Sequence, residues 1–175
     1  DIEYGAGGGV EVMSKGGHMS PALRFGQRMG DSLLIDLMVS TLTDPFGAGH
    51  MGITAENLAE KWDISRQAQD EFAAESHRRA AEAIEAGRFN EQIVPIIKRT
   101  RKGDVTIDRD EHVRPGTAAA DLGKMRPAFK KDGSVTAGNA SGINDGAAFL
   151  VLAQGDKARQ DGHSPMARLV SYALA

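Results

Sequence analysis

The residues best suited to chemistry lie between Thr136 and Ala147, where three glycines and three Asn or Asp residues fall within twelve positions. Glycine adopts backbone angles that are closed to other residues, and Asn and Asp tolerate such angles better than most. A short β-like stretch, Ser134–Thr136, comes before the turn residues, and the apolar run Ala147–Ala153 follows them. Two interpretations stay open here: a structural turn between two strands, or a turn whose backbone presses against a ligand.

Positive charge is concentrated in residues 88–131, which hold eleven basic and six acidic side chains, although the whole chain has a formal net charge of −3. The basic residues form two clusters along the chain: Lys98, Arg99, Arg101 and Lys102, then Lys124, Arg126, Lys130 and Lys131. A local field of this kind can concentrate phosphates around a protein of negative net charge, while a solvated surface gives the same pattern. The near balance of charge argues against a general nucleic-acid binder, and no Gly-x-x-x-x-Gly-Lys-Ser/Thr motif supports a phosphate-binding loop of the NTPase type.

Other catalytic and metal-binding patterns are missing from these 175 residues. The sequence has no cysteine, which excludes disulfides and thiolate metal sites within it. Its five histidines lack metal-ligand spacing, so no metal is expected. No stretch has the length of a membrane span and no signal peptide is visible, so a cytoplasmic location is predicted. Because the chain starts at Asp1 and its last residues, Leu169–Ala175, have strand character, we expect an internal segment of a longer protein.

Two helices are predicted near the middle of the chain. Thr54 is expected to cap a helix that runs to about Trp62, and Ser65 a second helix that ends at Gly87. The second helix is amphipathic, with charged residues such as Asp70 away from its apolar stripe. That stripe consists of Ala68, Phe72, Ser76, Ala80, Ala83 and Ile84.

The remaining pattern predicts a layered α/β protein. Residues 1–30 are rich in glycine and are predicted to be loop, and Asp156–Asp161 is predicted to form a short helix that Gly162 stops. Ala148–Ala153 is apolar without interruption, as expected of a strand that is covered on both faces. Further strands are predicted at Ile93–Ile97, where Pro95 suggests an edge or bulge, and at Val105–Ile107 and Ala167–Tyr172.

The order of residues in Thr136–Ala147 closely resembles the Thr-Ala-Gly-Asn-Ser/Ala-Ser-Gly-x-Asn-Asp-Gly-Ala signature of the thiolases. Gly8–Ser14 resembles the family's Gly-Gly-Met/Val-Glu-x-Met-Ser segment, and His50–Asn57 resembles the His-Met-Gly-x-Thr-Ala-Glu-Asn segment of its acetoacetyl-CoA branch. Further matches follow in the family's order: Ile64–Ala73, Gly87–Phe89, Glu91–Pro95 and Arg126–Phe129. Several ordered matches are far more specific than any one of them.

The resemblance implies that the ligand is coenzyme A, a substrate and product rather than a cofactor. Its phosphorylated ADP end needs basic groups, and its long pantetheine arm needs a tunnel of small and apolar residues. By resemblance, Arg114 lies near the nucleotide, Ser141 hydrogen-bonds the arm, and His50 with Met51 shapes the acyl end. The resemblance places four more residues along the walls: Leu42, Phe129, Ala137 and Ile143. Asp121, where many relatives have serine, and Pro115 depart from the family pattern.

The implied activity is that of an acetyl-CoA C-acetyltransferase, in which two acetyl-CoA condense reversibly to acetoacetyl-CoA and free CoA. Thiolases transfer the acyl group through a cysteine thiolate, so the resemblance assigns no catalytic residue to this cysteine-free chain, and the isolated chain is expected to be inactive. Two alternatives stay open: a degradative 3-ketoacyl-CoA thiolase, and a non-catalytic CoA- or lipid-binding relative. A dimer or tetramer of identical chains is also implied.

The resemblance also implies a division into domains. Residues 1–14 would end a portion of the N-terminal half-domain, and residues 15–143 would form the loop domain that covers CoA. Residues 144–165 would return as a strand and helix of the N-terminal half-domain, and residues 166–175 would begin the C-terminal half-domain.

Overall fold

The computed structural model describes residues 2–174. The chain forms two compact units, one made of the stretch up to Gly16 together with the stretch from Ile143 onward, and the other made of Gly17–Gly142. Within the described residues, the strands pair as four two-stranded antiparallel sheets, β1–β8, β2–β3, β4–β5 and β6–β7. The elements in chain order are β1 Tyr4–Glu11, β2 His18–Met19, β3 Ile35–Asp36, α1 Leu37–Thr41, β4 Thr43–Asp44, β5 Gly49–His50, α2 Met51–Lys61, α3 Arg66–Glu85, β6 Ile96–Thr100, β7 Gly103–Ile107, α4 Ala119–Leu122, β8 Gly146–Ala153 and α5 Gly155–Gln160.

The first unit is built on the β1–β8 ladder, which pairs residues continuously from Tyr4 with Ala153 to Glu11 with Gly146. The prediction of loop for residues 1–30 is therefore wrong for β1. Glycine-rich sequence is a poor strand former by itself, but in β1 the absence of side chains leaves room for residues of the partner strand β8. A Cβ on Gly8 would overlap the ring of Phe149 and the carbonyl of Ala148 on the partner strand.

The predicted strand at Ala148–Ala153 is confirmed, whereas its predicted covering is not found within residues 2–174. Phe149 and Val151 on one face and Leu150 and Leu152 on the other are all exposed. The predicted strand at Ala167–Tyr172 is wrong, because that stretch has no regular structure.

The short helix α5 is the last element of the first unit. It ends as predicted, since Gly162 follows it with a φ of +79°. Tyr4 Oη donates a 2.6 Å hydrogen bond to Asp161, and Lys157 donates to the same carboxylate. At the other end of the ladder, the Asp145 carboxylate accepts hydrogen bonds from both the N–H and the hydroxyl of Ser14, at 2.9 and 2.7 Å.

In the second unit, α2 begins earlier than predicted. His50, and not Thr54, is the N-cap residue, and its Nδ1 accepts a hydrogen bond from the N–H of Gly52 at 3.0 Å. For α3 the prediction is confirmed: Ser65 caps the helix through a hydrogen bond from Ala68 N–H, and Gly87 follows it with a φ of +68°.

The packed face of α3 differs from the predicted stripe. Phe72 is 78% exposed, whereas Asp70 is only 2% exposed. The more buried residues in this part of the helix recur every three to four positions, at Arg66, Asp70, Ala73 and His77. The predicted stripe is therefore wrong in the first half of α3, where Asp70 is held inside by Arg66 and Asn139. In the second half, Ala80, Ala83 and Ile84 are half-buried, as predicted.

The strands β6 and β7 form an exposed hairpin. The first begins at Ile96, directly after Pro95, so the predicted start at Ile93 is wrong; proline lacks the N–H that a ladder needs. Gly103 turns the chain with a φ of +116°, and the Thr100 hydroxyl donates to its carbonyl at 2.7 Å.

Candidate functional site

Residues 136–140 form a hydrogen-bonded turn, in which the N–H of Ala140 donates to the carbonyl of Thr136 at 3.0 Å. Ser134–Thr136, directly before it, belongs to no strand, so its predicted β-like character is wrong. Thr136 is fully buried, and its hydroxyl accepts the N–H groups of Gly138 at 3.2 Å and Asn139 at 3.3 Å. In return, the Asn139 side-chain oxygen accepts the N–H of Thr136 at 2.7 Å. This reciprocal pairing is the arrangement of a capping box, with Asn in the place of Glu or Gln. We call residues 134–140 the capped turn.

Glycine in the capped turn is needed for space. Gly138 is not among the residues with positive φ, so the predicted reason for glycine, an unusual backbone angle, is wrong at this position. A Cβ on Gly138 would lie 2.5 Å from the Met125 sulfur and 2.7 Å from Leu122 Cδ2. The backbone of the turn therefore packs directly on the last residue of α4 and on Met125, which follows that helix.

A buried carboxylate from α2 holds the beginning of the capped turn. Glu56 is 5% exposed, and its two oxygens accept the N–H of Ser134 at 2.9 and 3.0 Å, the N–H of Val135 at 2.9 Å and the hydroxyl of Ser134 at 3.1 Å. Burial by itself would raise the pKa of Glu56. The hydrogen bonds from Ser134 and Val135, aided by the charge of Lys130, outweigh burial and lower that pKa. Glu56 therefore acts as an anion that accepts backbone N–H groups.

A second buried carboxylate, from α3, holds the other side of the turn. Asp70 accepts hydrogen bonds from the Asn139 amide at 2.9 Å and from Arg66 Nε at 2.7 Å. Arg66 also donates to the carbonyls of Leu122 and Met125, at 2.7 and 3.1 Å. One hydrogen-bond network thus joins α3, the end of α4 and the capped turn.

Four of the predicted site residues lie close together beside α2. The rings of His50 and Phe129 stack with centroids 4.9 Å apart and an interplanar angle of 25°. Met51 N–H donates to the carbonyl of Leu42 at 2.8 Å. His50 Nδ1 accepts a hydrogen bond from the N–H of Gly52, which fixes the orientation of the ring.

The aromatic pair is joined to the capped turn through the backbone. Ala128 N–H donates to the carbonyl of Val135 at 2.9 Å, directly before Phe129. Ala137 lies exposed within the turn, and Ser141 follows it, also exposed. Six predicted residues therefore belong to one connected region: Leu42, His50, Met51, Phe129, Ala137 and Ser141.

Arg114 lies on a different loop of the second unit. Arg114 is in a loop anchored to α3, where its N–H donates to His77 Nδ1 at 3.3 Å and its carbonyl accepts from the Thr117 hydroxyl at 2.7 Å. Ile143 belongs to the other compact unit and is 56% exposed there.

The two basic clusters differ in their surroundings. Lys98, Arg99, Arg101 and Lys102 lie on the exposed β6–β7 hairpin. In the second cluster, Lys124 pairs with Asp121 at 2.8 Å and Lys130 pairs with Glu60 at 3.2 Å. The hydrogen bond from Lys124 lowers the pKa of Asp121 and keeps this carboxylate paired. The hairpin therefore presents the more accessible positive charge for a phosphate.

Two features are absent from residues 2–174. No group of three His, Asp or Glu side chains in this range could hold a metal ion. Nor is any helix in the same range long and apolar enough to cross a membrane.

The buried residues Glu56 and Asp70 and the half-buried Asn139 were not predicted to belong to the site. A signal for Glu56 was present, since it follows Gly52 by one helical turn inside the segment His50–Asn57, which resembles the thiolase pattern. Asp70 gave no such signal, because an acidic residue on an amphipathic helix is usually solvated.

Comparisons with known proteins agree with the sequence motifs. The thiolase N-terminal domain family matches residues 1–156. The chain is 54% identical over 176 residues to the β-ketothiolase BktB of Cupriavidus necator, covering 100% of this chain and 45% of that protein. It is 52% identical over 177 residues to the acetyl-CoA acetyltransferase of Thiocystis violacea, again covering 100% of this chain and 45% of the relative. The chain thus spans a little under half the length of these curated relatives.

Solved structures show the same likeness. The acetyl-CoA acetyltransferase of Bacillus anthracis superposes with a TM-score of 0.82 at 45% identity, covering 93% of this chain and 41% of that one. The human mitochondrial 3-ketoacyl-CoA thiolase superposes with a TM-score of 0.83 at 43% identity, covering 93% of this chain and 42% of that one.

Proposed function

This chain belongs to the thiolase family, and we propose that it supplies the CoA-binding surface of an acyltransferase. In a full-length thiolase that contains it, the reaction would be the reversible condensation of two acetyl-CoA to acetoacetyl-CoA and CoA. Coenzyme A enters and leaves as substrate and product, and no further cofactor is proposed. A cytoplasmic location and a dimer or tetramer of identical chains, both predicted from the sequence, belong to the same proposal.

The observation that carries this proposal is the junction of the capped turn with the His50–Phe129 pair. The hydrogen bond from Ala128 N–H to Val135 C=O brings an apolar aromatic wall next to a rigid turn of small residues. Ala137 and Ser141 are exposed at that turn. A small residue allows close approach of the pantetheine arm, and a hydroxyl can pair with one of its amides.

The charged end of coenzyme A requires basic groups, and two places offer them. The β6–β7 hairpin carries four exposed cations, and Arg114 lies on a loop whose backbone is anchored at both sides. Both are proposed to attract the nucleotide phosphates. Asp121, which departs from the family pattern, has part of its charge offset by Lys124.

The residues of this chain would bind and orient the thioester, while the acyl transfer itself needs a cysteine thiolate. The chain has no cysteine, so the nucleophile would come from elsewhere in the full-length enzyme. We therefore propose that the 175-residue chain alone does not catalyse thiolysis.

A degradative 3-ketoacyl-CoA thiolase is the second candidate, since one relative is named a β-ketothiolase and one structural neighbour a 3-ketoacyl-CoA thiolase. The pair His50 and Met51 favours short acyl chains, because two bulky side chains beside the aromatic wall would limit the room for extra methylenes. A chimera tests this directly: this chain replaces the aligned part of the Cupriavidus necator relative, and kcat/KM is compared for four-carbon and six-carbon 3-ketoacyl-CoA. Preference for the six-carbon substrate would favour the degradative function.

The binding proposal is tested by calorimetric titration of CoA into the 175-residue chain. Ser141→Ala should weaken binding by about two- to tenfold, the worth of one neutral hydrogen bond of roughly 0.5–1.5 kcal/mol. Ser76→Ala, an exposed serine on α3, is the matched control and should leave the affinity unchanged. Absence of CoA binding, or equal affinities of the Ser141→Ala variant and the parent, would refute the proposed site. Binding without activity in the chimera would favour the non-catalytic CoA-binding alternative.

A further inference from the structure

The capped turn is held from both sides by buried acidic side chains of two different helices. Glu56 of α2 binds the beginning of the turn through three donors, all between 2.9 and 3.1 Å. Asp70 of α3 binds Asn139 near the end of the turn at 2.9 Å. Between them, Thr136 and Asn139 close the turn on itself. Such a network leaves the backbone little freedom between Ser134 and Ala140.

The close packing around Glu56 shows that its position is built for this contact. A Cβ on Gly133 would overlap the Glu56 carboxylate, so glycine directly before the turn is what lets the side chain reach the backbone. Ser134 is held a second time, since Gln69 of α3 donates to its hydroxyl at 2.9 Å. The two helices and the turn therefore meet at Ser134.

Glu56 is not placed to act as an acid or base on a ligand. Both of its oxygens are occupied by donors of the capped turn, and the side chain is buried. Displacing this buried carboxylate costs free energy, because it leaves the backbone N–H groups of Ser134 and Val135 without partners. Its effect on a ligand must pass through the turn that it holds.

We propose that Glu56 is a positioning residue for CoA: by fixing Ser134 and Val135, it sets the capped turn so that Ala137 and Ser141 meet the pantetheine arm. This rests on the proposed function, because it assumes that CoA contacts the turn. Asp70 supports the opposite side through Asn139. The recognition chemistry is that of an amide-containing arm lying along a rigid turn of small residues.

The test uses graded changes at Glu56 in the 175-residue chain, with CoA and pantetheine as probes. Glu56→Ala removes every acceptor and should weaken binding of both probes about tenfold, as expected for unsatisfied buried donors. Glu56→Gln keeps one oxygen for the N–H groups and can donate to the Ser134 hydroxyl, so it should restore most of the affinity. Glu60→Ala is the matched control, because Glu60 lies one turn further along α2, is exposed and pairs with Lys130.

Two further measurements separate positioning from a general loss of structure. Hydrogen exchange should quicken at the amides of Ser134 and Val135 in Glu56→Ala but not in Glu60→Ala. Glu56→Ala and Ser141→Ala should also be non-additive in the affinity for CoA, since both act on the same contact. If Glu56→Ala does not fold, Glu56→Gln carries the same test with a smaller weakening, about two- to threefold.

The outcomes distinguish this proposal from the proposed function. If Ser141→Ala weakens CoA binding but neither Glu56 variant does, the positioning role is overturned while the CoA site stands. The same holds if the effects of Glu56→Ala and Ser141→Ala simply add. If Ser141→Ala has no effect, the CoA site is refuted at this turn, and the positioning role falls with it.

Discussion

Gly52→Ala is expected to destabilise the second unit, although alanine is the better helix former. Gly52 lies in the first turn of α2, and a Cβ there would overlap three ring atoms of Phe129, including Cγ. Since Cγ is near the base of the side chain, the whole ring must shift by roughly 1 Å to reach normal carbon–carbon separation. The shift also disturbs the stacking of Phe129 on His50.

The magnitude follows from opposing contributions to the free energy of unfolding. Overpacking of this kind costs about 1–3 kcal/mol, and loss of the aromatic stack costs about 0.5–1.5 kcal/mol. Replacing glycine in a helix returns at most about 1 kcal/mol. We therefore expect a net loss of about 1–3 kcal/mol, which is a large fraction of the stability of a small domain.

Urea denaturation followed by circular dichroism measures this loss. Gly17→Ala is the matched control in the same unit, because a Cβ on Gly17 meets no atom within 4 Å and its φ is not positive. It should change the free energy of unfolding by less than about 0.5 kcal/mol. If Gly52→Ala proves as stable as Gly17→Ala, the close packing of α2 against Phe129 is refuted.

Four further outcomes are expected. The hydrogen bond to Asp161 raises the pKa of Tyr4 to about 12. The stability that this hydrogen bond contributes should therefore be complete below pH 10 and be lost as the pH rises toward 12. Spectroscopic titration of the Tyr4 phenolate, with Tyr4→Phe as reference, measures the pKa. For Glu56, whose pKa is lowered, the pH dependence of stability is reversed. The stability contributed by the Glu56 carboxylate is present above pH 4.5 and is lost as the pH falls through its folded-state pKa. The free energies of unfolding of the parent and of Glu56→Ala should therefore converge in acid. The cysteine-free chain should not convert acetoacetyl-CoA and CoA to acetyl-CoA, and turnover above the uncatalysed rate with full-length contaminant excluded would contradict the proposed mechanism. In the chimera, Met51→Ala is combined with His50→Asn, because asparagine keeps an acceptor at the N-cap of α2. This double variant should raise the ratio of kcat/KM for six-carbon over four-carbon substrate by up to about fourfold per buried methylene. An unchanged ratio in a folded variant would show that these two residues do not limit chain length.

Local chemistry in the sequence predicted several elements correctly. Ser65 and Gly87 bound α3 because a hydroxyl cap and a glycine C-terminal to the helix act through neighbouring backbone groups. The ordered motifs predicted the family, and the likeness to solved thiolases confirms the α/β fold that they implied. The assigned domain boundaries and the CoA-binding residues stay predictions.

The sequence by itself therefore determined the family, the ends of α3 and the region in which the candidate residues lie, because motifs and caps depend on residues near one another in the chain. Tertiary structure alone decided which face is buried in the first half of α3, since Asp70 is drawn inside by Arg66 and by Asn139, a residue 69 positions away. It also decided that glycine-rich β1 is a strand, because pairing with β8 supplies the hydrogen bonds that local propensity does not. The role of Glu56 likewise depends on Ser134, 78 residues further along, and a contact of that range leaves no periodic trace in the sequence.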